Sequence, residues 1–253
     1  MEELLSLRRL SFSFPQQKLV FSDLSLTVRQ GEFVSIIGAS GCGKSTLFKA
    51  IAGLLAEAQG EIALQGSARG ENRLGQIAYM PQQDLLLPWR TVLDNCLLPL
   101  EIKGRAGKGG AATVWEMLER FGLAGYELAY PHELSGGMRQ RAAFLRTLMT
   151  GGELMLLDEP FGALDAMTKR DMHRWLLELW GELGRTVMFI THDLEEAILL
   201  SDRIFLMPSG SVGPLQELNV GLPRPRRLEM NYELGFVSLR AELERRLYET
   251  RTV

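Results

Sequence analysis

The run Gly38-Ala39-Ser40-Gly41-Cys42-Gly43-Lys44-Ser45-Thr46 contains the pattern G-x-x-x-x-G-K-[ST]. Glycines at that spacing let the backbone curl so that successive N–H groups face an anion. The Lys44 ammonium can reach the β- and γ-phosphates of a nucleotide, and the Ser45 hydroxyl is a hard oxygen donor suited to Mg2+. Far downstream, Leu154-Met155-Leu156-Leu157-Asp158-Glu159-Pro160 ends an apolar run with two adjacent carboxylates. The first, Asp158, suits Mg2+ held through water. Glu159, one residue on, points elsewhere, where a carboxylate orients or deprotonates an attacking water. Between them, Leu134-Ser135-Gly136-Gly137-Met138-Arg139-Gln140-Arg141 is a Ser-Gly-Gly turn feeding a basic helix. A hydroxyl and backbone donors at a helix N-terminus favour an anion.

These groups work only if particular elements hold them. A phosphate loop needs a buried strand before it and a helix after it, and the sequence supplies both: Glu32–Ile37 is nearly continuous apolar, and Lys44–Leu55 has helical periodicity. Further strands are expected at Lys18–Phe21, Leu24–Val28, Glu61–Leu64 and Gln76–Met80, with a turn region over Gly66–Gly75. From Thr91 to Met149 the pattern is helical, in three segments: Thr91–Ile102, Ala111–Phe121 and Met138–Met149. The basic, glycine-rich stretch Lys103–Gly110 reads as a flexible surface loop. Strands return at Glu153–Asp158, Thr186–Thr191 and Arg203–Met207, with helices starting near Asp165 and Asp193. In the first of these helices Leu164, Met167, Trp175, Leu176, Leu179 and Leu183 form a stripe expected to pack in the core. Strand–helix alternation on both sides of a helical insert implies a parallel-sheet core carrying a helical subdomain.

At 253 residues the chain has ample length for a buried core. A net charge of −3 and a pI near 5.8 argue against a protein that coats nucleic acid. Two cysteines, Cys42 and Cys96, make no disulfide framework, so a reducing compartment is expected. The acidic start Met1-Glu2-Glu3 lacks a signal-peptide layout, and no apolar run reaches the length of a membrane span.

Together these residues resemble the ATP-binding-cassette (ABC) ATPases over about residues 5–215, with six motifs in the family's order. They are the phosphate loop, a glutamine loop at Gln82, the signature at Leu134–Gln140, the Asp158/Glu159 strand end, a D-loop at Gly162-Ala163-Leu164-Asp165, and a histidine switch at His192. The resemblance implies an α/β fold of the P-loop NTPase (RecA-like) type. Its core would be a mostly parallel sheet, with an antiparallel β region and an inserted α-helical subdomain. Residues 1–216 would form the nucleotide-binding domain, with the helical subdomain at about 84–150, and 217–253 a C-terminal extension. It also implies ATP and Mg2+ as ligands. Phe14 would stack on adenine, with Phe12 as the alternative. Gly38, Ala39, Ser40, Gly41, Cys42, Gly43, Lys44, Ser45 and Thr46 would bind ATP, and Ser45, Asp158 and Gln82 would attend the metal. Glu159, His192 and Gln82 would serve catalysis, Gln83 being the competitor of Gln82. Ser135, Gly136, Gly137 and Asp165 would act on the ATP of a second copy docked head-to-tail. Met138 stands where the most familiar signature has Gln. His132 and His173 read as structural or surface residues.

With one cassette, no long coiled coil between Gly43 and Ser135 and no fused spanning region, the chain resembles bacterial importer subunits more than cassettes acting on nucleic acid or ribosomes. Leu86-Leu87-Pro88-Trp89-Arg90-Thr91-Val92-Leu93-Asp94-Asn95 and the Leu222–Arg227 tail are similar to the nitrate, sulfonate, taurine and pyrimidine-precursor importer group. That implies a homodimer at the cytoplasmic face of the cell membrane beneath two multi-spanning permease subunits. It also implies an extracellular or periplasmic solute-binding protein in the same system, and no nucleic-acid partner. The apolar stretch Leu85–Trp89 suits a helix of a membrane partner.

Overall fold

The structure is a computed structural model that describes residues 2–15, 19–55, 58–66, 73–208 and 213–251. In chain order its elements are β1 (Glu3–Ser13), β2 (Leu19–Arg29), β3 (Phe33–Gly38), α1 (Lys44–Ile51), β4 (Gln59–Leu64), β5 (Ala78–Met80), α2 (Val92–Ile102), α3 (Lys108–Arg120) and α4 (Gly136–Leu148). They continue with β6 (Leu154–Asp158), α5 (Ala166–Leu183), β7 (Thr186–Ile190), α6 (Leu194–Leu200), β8 (Arg203–Met207), β9 (Gln216–Asn219) and α7 (Leu234–Arg251). The chain divides into two compact units, one of Met1–Leu74 with His173–Val253 and the other of Gly75–Met172.

In the first unit β3 lies between β7 and β8, parallel to both, and β9 pairs antiparallel with β8. All of β7 and β8, and β3 up to its final glycine, are buried. That is why their sequences are unbroken apolar runs rather than alternating ones. A separate antiparallel sheet has the order β2-β1-β4. Lys18–Phe21 and Leu24–Val28, expected as two strands, are one from Leu19 onward, Lys18 lying outside the described residues: β2 runs through Ser22-Asp23. The pairing with β1 shifts register there, from Leu10↔Leu24 to Phe12↔Phe21. Asp23 takes a left-handed φ of 55°, and its N–H donates to Ser11 Oγ at 3.0 Å. The polar pair is a β-bulge, which sequence alone renders as a break between two strands.

The C-terminal segment belongs to this first unit. Leu228, Met230, Phe236 and Leu243 share an apolar cluster with Ala197, Ile198 and Leu199 of α6 and with Ile204 and Leu206 of β8. Arg240 pairs with Glu195 at 2.8 Å, and Asn231 donates to the same carboxylate at 3.4 Å. At the other end of α6, Arg224 and Arg226 donate to its last carbonyls. The expected helix Leu239–Tyr248 is thus a longer one, fixed along α6.

In the second unit β5 and β6 are parallel, and α2 packs on α4. Thr91 caps α2 by accepting from Asp94 N–H at 3.1 Å. Asn95 is fully buried, donates to the carbonyls of Leu87, Arg90 and Thr91, and accepts from Leu87 N–H at 2.8 Å. One side chain therefore fixes the loop that presents Trp89. Two expectations fail in this unit. The basic loop is shorter than expected, because α3 starts at Lys108; Ala111 N–H already donates to Gly107 O at 3.1 Å. Burial of Val114, Met117 and Leu118 outweighs the poor helix propensity of Gly109 and Gly110. Met167 is 80% exposed, so the stripe of α5 reaches the core only from Met172 onward. Of the expected turn region Gly66–Gly75, residues 67–72 lie outside the described residues.

Candidate nucleotide site

In the first unit the phosphate loop joins β3 to α1 as expected. Gly38 is required by packing: a Cβ there would lie 2.8 Å from Met207 O. Gly43 is required twice over, by φ 103° and by a Cβ that would sit 2.8 Å from Val20 Cγ1. Gly41 also has a left-handed φ, of 80°. The Lys44 ammonium lies over the loop, donating to Gly38 O at 2.9 Å and Ala39 O at 3.0 Å. Ser45 follows in the first turn of α1, where the N–H groups of an α-helix lack internal partners and attract anions. Cys42 is buried, and desolvation, only partly offset by Lys44, pushes its thiol pKa up.

The adenine candidates divide by exposure. Phe12 is 5% exposed and packs on Phe21, whereas Phe14 is 38% exposed and meets Phe12 edge-on at 4.9 Å. Only Phe14 offers a ring face for a base.

His192 follows β7 and is exposed. The turn that carries it is braced by groups the sequence did not single out. His173 Nε2 and Glu196 Oε1 are 2.9 Å apart, both buried, and Thr191 Oγ1 donates to the other oxygen of Glu196. Thr191 Oγ1 in turn accepts from Asp193 N–H at 2.9 Å. The buried carboxylate thus clamps the residue on each side of His192. His173 is structural, as expected, but its partner lies 23 residues away and leaves no local sequence signal.

In the second unit, Asp158 is buried at the end of β6 and accepts from Tyr79 OH at 3.2 Å. Burial, then the Asp158 charge and this hydrogen bond, push the Tyr79 phenol pKa up. Glu159 departs from the strand at φ 45°, a left-handed conformation that L side chains avoid. The two carboxylates consequently differ in setting. Asp158 is enclosed, while Glu159 is half-buried and accepts from Gln82 Nε2 at 3.4 Å. Gln82 rather than Gln83 is the glutamine at this carboxylate. The Ser45 hydroxyl and the Asp158 carboxylate are each a hard oxygen donor of the kind Mg2+ takes.

The Ser-Gly-Gly turn opens α4. Ser135 is the N-cap and accepts from Met138 N–H at 3.3 Å. Gly137 is buried so tightly that a Cβ would meet Thr168 Cγ2 at 2.8 Å. Thr168 is fixed in turn by Asp165, whose carboxylate accepts from its hydroxyl at 2.6 Å and from the N–H groups of Met167 and Thr168. These hydrogen bonds, that from the Thr168 hydroxyl foremost, hold the Asp165 carboxyl below its ordinary pKa. Signature and D-loop therefore form one local construction. Met138 is half-buried and lines a recess of about 200 Å3 with Thr168 and Met172. Arg139 reaches Asp84 at 3.5 Å, and Arg146 donates to Leu85 O at 2.7 Å, tying the segment after Gln82 to α4. These two arginines also escaped the sequence reading.

Comparison with known proteins agrees with this construction. Residues 21–162, more than half of the chain, match the family model described as ABC transporter. The formylaminopyrimidine import ATP-binding protein ThiZ of Halalkalibacterium halodurans is 46% identical over 228 residues, which are 90% of this chain and 89% of that protein. The aliphatic sulfonates import ATP-binding protein SsuB 3 of Pseudomonas syringae pv. syringae is 42% identical, over 88% of this chain and 78% of its own length. Among solved structures, the ATP-binding cassette MJ0796, dimeric and bound to ADP and Pi in a post-hydrolysis state, superposes with a TM-score of 0.73. It is 29% identical, and the match covers 86% of this chain and 99% of that one. The α/β architecture, with its phosphate loop and helical insert, is that of the P-loop NTPases. The chain belongs to the ABC transporter family, as an ATP-binding subunit with the family's ATPase activity.

Proposed function

We propose that this ATPase is the energy-coupling subunit of an importer for a small solute of the sulfonate, nitrate, taurine or pyrimidine-precursor class. It works as a head-to-tail homodimer at the cytoplasmic face of the membrane, beneath two permease subunits supplied by an extracellular or periplasmic solute-binding protein. Residues 1–216 serve as the nucleotide-binding domain, with a helical subdomain over 84–150, and 217–253 as an extension. The relatives named above support the importer class, since both are import ATP-binding proteins. Among the described residues no helix is long and apolar enough to cross a membrane.

One observation carries the mechanism: the adjacent carboxylates are held in different environments, Asp158 enclosed and Glu159 turned out of the strand against Gln82. In this reading the phosphate-loop N–H groups, residues 38–46, and Lys44 hold the ATP phosphates, and Phe14 stacks on the adenine. Ser45 and Asp158 would hold Mg2+, with Gln82 beside it, and the ion would supply neutralisation of the phosphate charge. Glu159 accepts the proton of the water that attacks the γ-phosphorus as the bond to the ADP oxygen breaks. His192 contacts the γ-phosphate. Ser135, Gly136, Gly137 and Asp165 complete the ATP site of the other copy. Leu85 and Trp89, 55% and 71% exposed, form the apolar contact for a permease helix.

The test is Glu159→Gln, which keeps ATP affinity, lowers turnover by about 100-fold or more, and accumulates an ATP-bound dimer. Turnover at the wild-type rate would remove Glu159 from its role. Purification from detergent-solubilised membranes should recover a multi-spanning protein with the wild type and lose it with Trp89→Glu. Recovery with ribosomes or DNA instead would refute the importer reading.

A further inference from the structure

The C-terminal half of α5 and the segment Arg224–Glu229 enclose a cavity of about 760 Å3 that the proposed mechanism does not use. Its volume is that of a small-molecule site, and its lining is mainly apolar, with Leu177, Trp180 and Leu228 contributing. The guanidinium groups of Arg174, Arg224, Arg226 and Arg227 line it with the carboxylates of Glu178 and Glu229, and Asp202 pairs with Arg224 at 2.8 Å and lies 3.9 Å from Arg226. Arg226 is the most constrained of them, with its side chain only 2% exposed. Its Nη1 donates to Ile198 O at 2.9 Å and also to Ser201 O, and its Nη2 donates to Leu222 O at 3.1 Å. Its Nε is buried with no hydrogen-bond partner. Burial, then the charge of Arg224, lower its pKa to about 10. Arg224 lies over the Trp180 ring at 4.0 Å. One carboxylate, Asp202, is thus shared by two guanidinium groups while the Arg226 Nε donor stays unmet, and a further anion is the group that would complete them.

We propose that this cavity binds a small amphipathic anion, an aromatic or aliphatic body with one sulfonate or carboxylate head. The body lies on Leu177, Trp180 and Leu228, and the head on the side of Arg224, Arg226 and Arg227. Occupancy bears on ATP turnover through α6. Arg224 and Arg226 hold the last carbonyls of that helix, and its N-cap, Asp193, directly follows His192. This second half rests on the proposed role of His192; the binding site does not.

The probe is 8-anilinonaphthalene-1-sulfonate, with neutral N-phenyl-1-naphthylamine as its uncharged counterpart, titrated by fluorescence with energy transfer from tryptophan. Gly181 lines the cavity, and a Cβ there meets nothing within 4 Å, so Gly181→Phe fills the space without a backbone clash. Gly181→Phe should weaken sulfonate binding at least about tenfold, and Arg227→Glu about tenfold, with neutral-probe binding to Arg227→Glu within about twofold of wild type. Unchanged sulfonate affinity in Gly181→Phe, or equal affinity for the neutral probe in the wild type, overturns the site. Saturating sulfonate should alter kcat in the wild type and leave Gly181→Phe unaffected. Binding with kcat unchanged in both overturns the link to α6 alone. Abolished binding in Gly181→Phe with the Glu159→Gln result intact separates this site from the reading of the nucleotide site.

Discussion

Glu159 is a glutamate held where L residues are disfavoured, and its strain can be measured apart from its chemistry. A left-handed φ such as its 45° costs a residue with a Cβ about 1–2 kcal/mol. Glycine escapes that cost but loses about 0.5–1 kcal/mol more chain entropy on folding than alanine. At an ordinary position Gly is therefore the less stable of the two. At 159 the order should invert, with Glu159→Gly more stable than Glu159→Ala by about 1 kcal/mol, or about 2–4 °C in Tm for a chain of this size. Both variants lack the carboxylate, so loss of the 3.4 Å contact with Gln82 cancels in the comparison. Glu159→Gln keeps both Cβ and strain and should fall within about 0.5 kcal/mol of wild type. All three should lose hydrolysis. The assay is urea unfolding beside ATP turnover. If Glu159→Gly proves less stable than Glu159→Ala, the backbone is not strained and the account of how the two carboxylates are separated is wrong.

Four other outcomes can be measured. Gly137→Ala should destabilise by about 1–3 kcal/mol through the Thr168 methyl, and Thr168→Ser, which keeps the hydroxyl bound to Asp165, should restore most of it in the double variant by thermal unfolding. Ser135→Arg should leave monomer nucleotide affinity unchanged while gel filtration with ATP shows no dimer. Arg203→Ala strands the buried Glu32 carboxylate and should cost about 3–5 kcal/mol by urea unfolding, partly recovered by adding Glu32→Gln. The same arginine, chiefly through its hydrogen bond, lowers the pKa of Glu217. That contribution to stability is present above the ordinary carboxylate pKa and is lost as pH falls through the lowered one, so Glu217→Gln should flatten the acid limb of the stability profile.

What was legible in the sequence was local. The phosphate loop is contiguous and needs specific residue types in order, so its place between β3 and α1 could be read directly. So could the buried parallel strands, from unbroken apolar runs. Unreadable features depend on partners brought together by folding. Glu196 braces the His192 turn through His173 and Thr191, and Arg139 and Arg146 tie Asp84-Leu85 to α4. Ser22-Asp23 misled because a bulge interrupts an apolar pattern just as a break between strands does. Met167 misled because helical periodicity continues into a first turn that faces solvent.

The clamp on α6 also has a consequence in time. Arg240 holds Glu195 but is made 45 residues after it. At a synthesis rate of about 5–20 residues per second, the His192 turn exists for about 2–9 s before its outer support is translated. An emerging chain thus holds the residues of its phosphate loop and of its histidine turn before those of α7, so α6 gains its Arg240 contact last.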